Sequence, residues 1–162
     1  MSPLEKRIDR LAAALLARAS MLATAESCTG GLIAAACTGK PGSSAWFERG
    51  FVTYSNAAKH EMLGVPVTLI DGKGAVSREV AAAMAEGALA RSTATYSVAV
   101  TGIAGPGGAT PGKPVGTVWM AVCQRGHAAT TRLLQGTGDR TEVRAQSVLA
   151  ALDLLLARLD AG

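Results

Sequence analysis

Short apolar runs of strand length alternate along this chain with longer stretches of helical periodicity, and that alternation restricts the fold more than any other feature. MLATAES near residue 21 reads as a short buried strand, GFVTYS over residues 50–55 is β-rich, and YSVAVTG over residues 96–102 is a continuous run of strand length. VGTVWMAVC and HAATTRLL flank QRG in the pattern of an antiparallel hairpin. Between these runs lie the helices. Leu4, Ile8, Leu11 and Leu15 recur at helical spacing, residues 29–38 read as a helix ending at Gly39 and Pro41, and Asn56 is the expected N-cap of a short helix reaching Leu63. Ser77 is placed to cap a helix running to about Arg91, and Asp139 with Glu142 forms a capping box that opens a last helix to about Leu159. The order implies an α/β fold, a three-layer α/β/α sandwich on a mixed sheet of about five strands, with residues 1–162 as a single domain.

A chain of 162 residues buries roughly 70% of its unfolded surface, enough for a self-sufficient core. The net charge of +4 is modest and the Lys and Arg residues are dispersed, so a small anionic ligand suits the chain better than nucleic acid. Cys28, Cys37 and Cys123 show no CxxC spacing and are odd in number, which argues for a reduced, cytoplasmic setting without disulfides. No His, Asp and Glu cluster has metal-ligand spacing, so no metal and no cofactor is expected. The opening MSPLEKRIDRLAAALLARAS carries Glu5 and Asp9 where a signal peptide would be basic, and Arg18 interrupts its short apolar run. No run is long enough to span a membrane. Alanine-rich helices are compatible with a homo-oligomer.

Three polar or glycine-rich segments fall where strands lead into helices, the usual position of ligands in α/β sheets: ESCTGG, YSNAAK and TGIAGPGG. In the first, Ser27 is expected at a helix start, with unpaired amides nearby and Thr29, Gly30 and Gly31 allowing close approach to backbone donors. The same residues could equally be a helix cap and its packing. Cys28 is a rival nucleophile whose pKa a helix N-terminus would lower, but side by side on a helix start the two residues point different ways. Neither His60 nor His127 makes a convincing partner for it. A serine needs a base, and Lys59 can fill that role if it is neutral, with Tyr54 relaying or orienting the proton. Lys59 could otherwise be a solvated helix residue and Tyr54 an edge residue. Gly102 and Gly105 belong to a loop able to cradle an anion or a ring, and Arg140, in the first turn of the last helix, is either a phosphate ligand or a surface residue. GGATPGKP matches the glycine and lysine spacing of a P-loop, but Pro114 stands where Ser or Thr should bind magnesium, and no GxGxxG occurs.

Taken in order, TAESCTGG, GSSAWFERGFVTYSNAAK, GAVS, TGIAGPGG, KPVGTVW and GDR resemble the CinA carboxy-terminal domain family, which includes stand-alone nicotinamide mononucleotide deamidases. The resemblance covers nearly the full length. It implies hydrolysis of the carboxamide of nicotinamide mononucleotide, the small-molecule partner, to nicotinate mononucleotide and ammonia, a salvage step in pyridine nucleotide metabolism. Carried onto this chain, it places the nucleophile at Ser27, its activating partners at Tyr54 and Lys59, and a residue of substrate binding or catalysis at Arg140; Thr29, Gly30, Gly31, Asn56, Gly102 and Gly105, from the same segments, are the further substrate contacts expected. Two other functions compete with it: a nucleotide-sensing domain without turnover, and an amidase for another small amide.

Overall fold

Alternate side chains of a strand face opposite sides of its sheet, and here the two sides differ in size. A computed structural model describes residues 1–162. Five strands, β1 (Leu22–Glu26), β2 (Phe47–Val52), β3 (Tyr96–Gly102), β4 (Thr117–Gln124) and β5 (Thr130–Gln135), form one sheet in the order β2-β1-β3-β4-β5. The first three are parallel, and β4 and β5 continue the sheet antiparallel. On one face Leu22, Val98, Val100, Met120 and Val122 pack against Leu11 and Leu15 of α1 (Pro3–Ala17) and Leu152 and Leu155 of α6 (Arg140–Asp160). On the other, Ala23, Ala25, Ala99 and Ala121 meet Ala81, Met84, Ala85 and Ala88 of α5 (Arg78–Ala90). Small residues on both partners let α5 lie close to the sheet. The mixed sheet with helices on both faces is the expected α/β fold, and no helix is long and apolar enough to cross a membrane.

Several boundaries differ from the sequence reading. The helix expected from residue 29 begins only at Leu32 (α2, Leu32–Thr38), because Gly30 and Gly31 adopt positive φ values of 57° and 105° and hold residues 28–31 in a turn. The strand expected over residues 50–55 is shifted to Phe47–Val52, since pairing with β1 ends at Glu26 opposite Val52. Ser55, not Asn56, caps α3 (Asn56–Leu63): its hydroxyl accepts the Ala58 amide at 3.0 Å. A short helix, α4 (Val67–Lys73), was not anticipated; it buries only Ile70 and contains Gly72, so it carries little helical periodicity. The caps at Ser77 and Asp139 stand where they were expected.

Connections after β1 and β2 leave in opposite directions, with α2 on the large-residue face and α3 on the alanine face. Adjacent parallel strands whose connections diverge open a crevice beyond their carboxyl ends. The register sets Glu26 level with both Val52 and Val100, so the residues that follow β1, β2 and β3 converge there.

Candidate active site

A cavity of about 210 Å³ occupies that crevice, lined by Ser27, Cys28, Tyr54, Asn56, Lys59, Thr101, Gly102 and Arg140, with Ala75, Val76 and Ala104 completing the wall. Ser27 is the first residue after β1, and its amide donates to the Val100 carbonyl at 3.0 Å, which ties it to β3. Lys59 lies one turn into α3. Only 2% of the residue is exposed. Its Nζ lies 3.0 Å from Ser27 Oγ, 3.1 Å from the Thr53 carbonyl and 3.2 Å from the Tyr54 carbonyl. Desolvation lowers the lysine below its ordinary 10.5, opposed in part by the nearby Cys28 thiol. α3 is itself held close to α5: a Cβ on Gly87 would collide with the Leu63 carbonyl oxygen at the end of α3.

The structure brings Ser27 and Lys59 into contact across 32 residues of chain. Tyr54 enters differently from the expectation. Its backbone carbonyl faces Lys59 and lies 3.4 Å from Ser27 Oγ, while its side chain is 62% exposed and its hydroxyl accepts from Arg140 at 3.0 Å. Arg140 also donates to the Gly105 carbonyl at 2.8 Å, so one guanidinium joins Tyr54 to the glycine loop at the rim. Asn56, exposed at the start of α3, and Gly102 line the cavity as expected positions for ligand contact, whereas Gly105 contributes its carbonyl to Arg140.

Thr29, Gly30 and Gly31 do not line the cavity. The unpaired helix amides expected beside Ser27 are also occupied. Glu26, fully buried at the end of β1, accepts from Ile33 N at 2.8 Å, Ala34 N at 3.0 Å and the Thr29 hydroxyl at 2.7 Å. The Gly30 amide is bonded to the Ser27 carbonyl at 3.0 Å, while the amides of Cys28 and Thr29 have no partner in the chain. The segment is a turn and not a helix start, and both Ser27 and Cys28 border the cavity. With α2's first-turn amides filled by a carboxylate, desolvation of the Cys28 thiol outweighs the lowering influences on it, those of its own backbone amide and of the Arg144 and Lys59 charges. Burial pushes it up to about 11.

Sequence reasoning missed Glu26 and Arg144. The first has a signal in the chain: a carboxylate closing a buried apolar run must find donors. The second is on α6, four residues from Arg140 and therefore on the same helical face. Arg144 donates to the Cys28 carbonyl at 3.0 Å and the Thr29 carbonyl at 3.3 Å.

A fold of this topology is matched by known proteins. Residues 4–159 match the CinA C-terminal domain family, and the chain belongs to it. The chain is 53% identical over 156 residues to nicotinamide-nucleotide amidohydrolase PncC of Pseudomonas putida, covering 96% of this chain and 97% of that protein. It is 52% identical to a CinA-like protein of Mycolicibacterium vanbaalenii, covering 96% of this chain but spanning only 36% of that longer protein. Among solved structures, the competence/damage inducible protein CihA from Agrobacterium tumefaciens superposes with a TM-score of 0.94 at 47% identity, covering 99% of this chain and 97% of the other.

Proposed function

We propose that this protein hydrolyses the carboxamide of nicotinamide mononucleotide to nicotinate mononucleotide and ammonia, with Ser27 as nucleophile and Lys59 as its base. The observation that carries the reading is the environment of Lys59 Nζ, with two carbonyls and one hydroxyl in reach. Carbonyls only accept. A neutral amine donates its two hydrogens to Thr53 and Tyr54 and turns its lone pair to the Ser27 hydroxyl, the arrangement that proton abstraction requires. None of the chain's four ion pairs involves Lys59, so no carboxylate holds it charged.

Lys59 takes the Ser27 proton as Oγ attacks the carboxamide carbon, and the developing oxyanion needs donors. The first unengaged amide along the chain after Ser27 is that of Cys28, a residue of the cavity wall. The ammonium of Lys59 then returns its proton to the leaving nitrogen, releasing ammonia and a nicotinoyl ester on Ser27. Water, deprotonated by the same amine, cleaves the ester and regenerates the hydroxyl. Cys28 takes no part, since a thiol held at about 11 is protonated at neutral pH. Tyr54 serves through its carbonyl, which orients Lys59, and through its hydroxyl at the rim.

The cavity of about 210 Å³ is below the roughly 300 Å³ at which pockets for drug-sized ligands begin, so it takes the ring and its amide while the ribose phosphate projects outward. A second concavity of about 590 Å³ adjoins it, sharing Ala104 and Arg140. Arg140 thus stands where the anionic part of the nucleotide passes. Ammonia release from nicotinamide mononucleotide by wild type, Ser27→Ala and Lys59→Arg tests the reading: release by wild type alone is expected, and equal release by all three, or none by wild type, rejects it. Free nicotinamide in the same assay is expected to turn over far more slowly, for want of the Arg140 contact.

A further inference from the structure

Ser27 and the amides beside it sit in a turn, and a turn by itself does not fix its peptide planes. This one is gripped from two sides. From below, the Glu26 carboxylate takes the Thr29 hydroxyl and two α2 amides. From α6, the Arg144 guanidinium takes the carbonyls of Cys28 and Thr29. Gly30 makes room for it: a Cβ at that residue would lie 3.2 Å from the Arg144 Nη2.

Resting on the serine hydrolase reading above, we infer that Glu26 and Arg144 are positioning residues that fix the turn after Ser27, and with it the Cys28 amide as oxyanion donor, and hold Ser27 against Lys59. The argument is geometric. A trans peptide is planar, with its C=O and N–H pointing in opposite directions. The Cys28 carbonyl and the Thr29 N–H belong to one such plane. When Arg144 draws that carbonyl toward α6, the plane is fixed and residue 28 with it, the one residue of the turn that lines the cavity and whose own amide is unengaged. Glu26 fixes the next residue, Thr29, through its hydroxyl, at 2.7 Å. Both residues are fully committed to this turn in their polar contacts: neither forms an ion pair, and Glu26 has no surface exposure.

A donor aimed at the oxyanion acts in the transition state and contributes little to substrate binding, so its loosening falls on kcat. Loss of one oxyanion donor costs about 10²- to 10³-fold. Arg144→Ala, which frees the plane without removing the amide, is expected to lower kcat by about 10- to 100-fold with KM within threefold. Arg144→Lys, able to hold one carbonyl, should recover part of the loss. Glu26→Gln sets an amide NH₂ against backbone N–H donors and is expected to lower kcat at least as far.

The readout that a merely structural role would not move is affinity for a tetrahedral adduct. Pyridine-3-boronic acid, whose boron takes the place of the amide carbon, should bind each folded variant more weakly by about the factor lost in kcat, while nicotinate mononucleotide binds as in wild type. A folded Arg144→Ala protein with kcat and boronate affinity within threefold of wild type, or with its loss confined to KM, overturns the proposal while leaving Ser27 in place. If Glu26→Gln does not fold, the two Arg144 variants decide. A fully active Ser27→Ala protein removes the underlying reading itself, and the positioning role with it.

Discussion

Two strand-to-helix junctions lie side by side at the carboxyl end of the sheet, and they deliver the proposed nucleophile and its proposed base in opposite ways. After β2, the chain enters α3 at once, Ser55 caps it, and Lys59 arrives one turn later on a regular element whose last residue, Leu63, is buried against α5. After β1, the chain makes a turn of irregular backbone before α2, and Ser27 sits in that turn. In both, the first helical amides are filled from the chain itself, by Ser55 in one and Glu26 in the other. A helix places a side chain by its own repeating hydrogen bonds, so Lys59, the proposed base, is positioned by α3 itself. A turn lacks that repeat, and Ser27 therefore depends on side chains from β1 and from α6.

The comparison breaks most severely at the nucleophile. Ser27→Ala is expected to lower kcat/KM by about 10⁴-fold or more, measured as ammonia release, with the melting temperature close to wild type because the residue contributes little packing. Lys59→Met keeps the buried stem and removes the base, for an expected loss of about 10²- to 10⁴-fold. A Lys59→Met protein with wild-type turnover would show that the two junctions do not cooperate.

The pH dependence sharpens the same point. Activity needs the neutral amine, so kcat/KM should rise with pH through a midpoint below the ordinary lysine value of 10.5, and Lys59→Met should lose that limb. Stability follows with a definite sign. Burial lowers the folded-state value, so the unfolded chain binds the extra proton in the window between that lowered value and 10.5. The stability of wild type relative to Lys59→Met should therefore grow as pH rises through this window and shrink as pH falls through the folded-state value. Equal pH slopes for the two proteins in urea titrations would contradict a buried, deprotonated lysine.

The smallest effect belongs to the cap of the regular junction. Ser55→Ala should cost about 1 kcal/mol of stability, read by denaturant unfolding, and leave kcat within a few-fold of wild type, because the packing of Leu63 and Lys59 still holds α3 in place. The contrast with Arg144→Ala, a residue remote in sequence with a large expected effect on turnover, is the direct measure of how differently the two junctions are held.

How much of this was legible from the chain depends on whether the signal is local. The long helices were, because α1, α5 and α6 bury Ile8, Leu11 and Leu15, then Val80 and Met84, then Val148, Leu152 and Leu155 at helical spacing, and the caps at Ser77 and Asp139 are local hydrogen bonds. β3 matched its run residue for residue. The start of α2 and the limits of β2 were not, since two glycines at positive φ and the register with a neighbouring strand set them. In the site, Ser27 and Lys59 were readable as a serine and a lysine in favourable segments, whereas the use of the Tyr54 carbonyl, Glu26 and Arg144 was not.

The amino-acid sequence by itself determined the alternation of elements, the large and small faces of the sheet, and which residue types stand at the strand ends, because these follow from side-chain period and from caps a few residues apart. Tertiary structure alone decided that a buried Lys59 Nζ meets Ser27 Oγ at 3.0 Å, and that Arg144 reaches back across more than a hundred residues to the Cys28 carbonyl. Burial and contact between remote segments are properties of the packed chain, and the lowered basicity of a lysine exists only once neighbours have displaced its water.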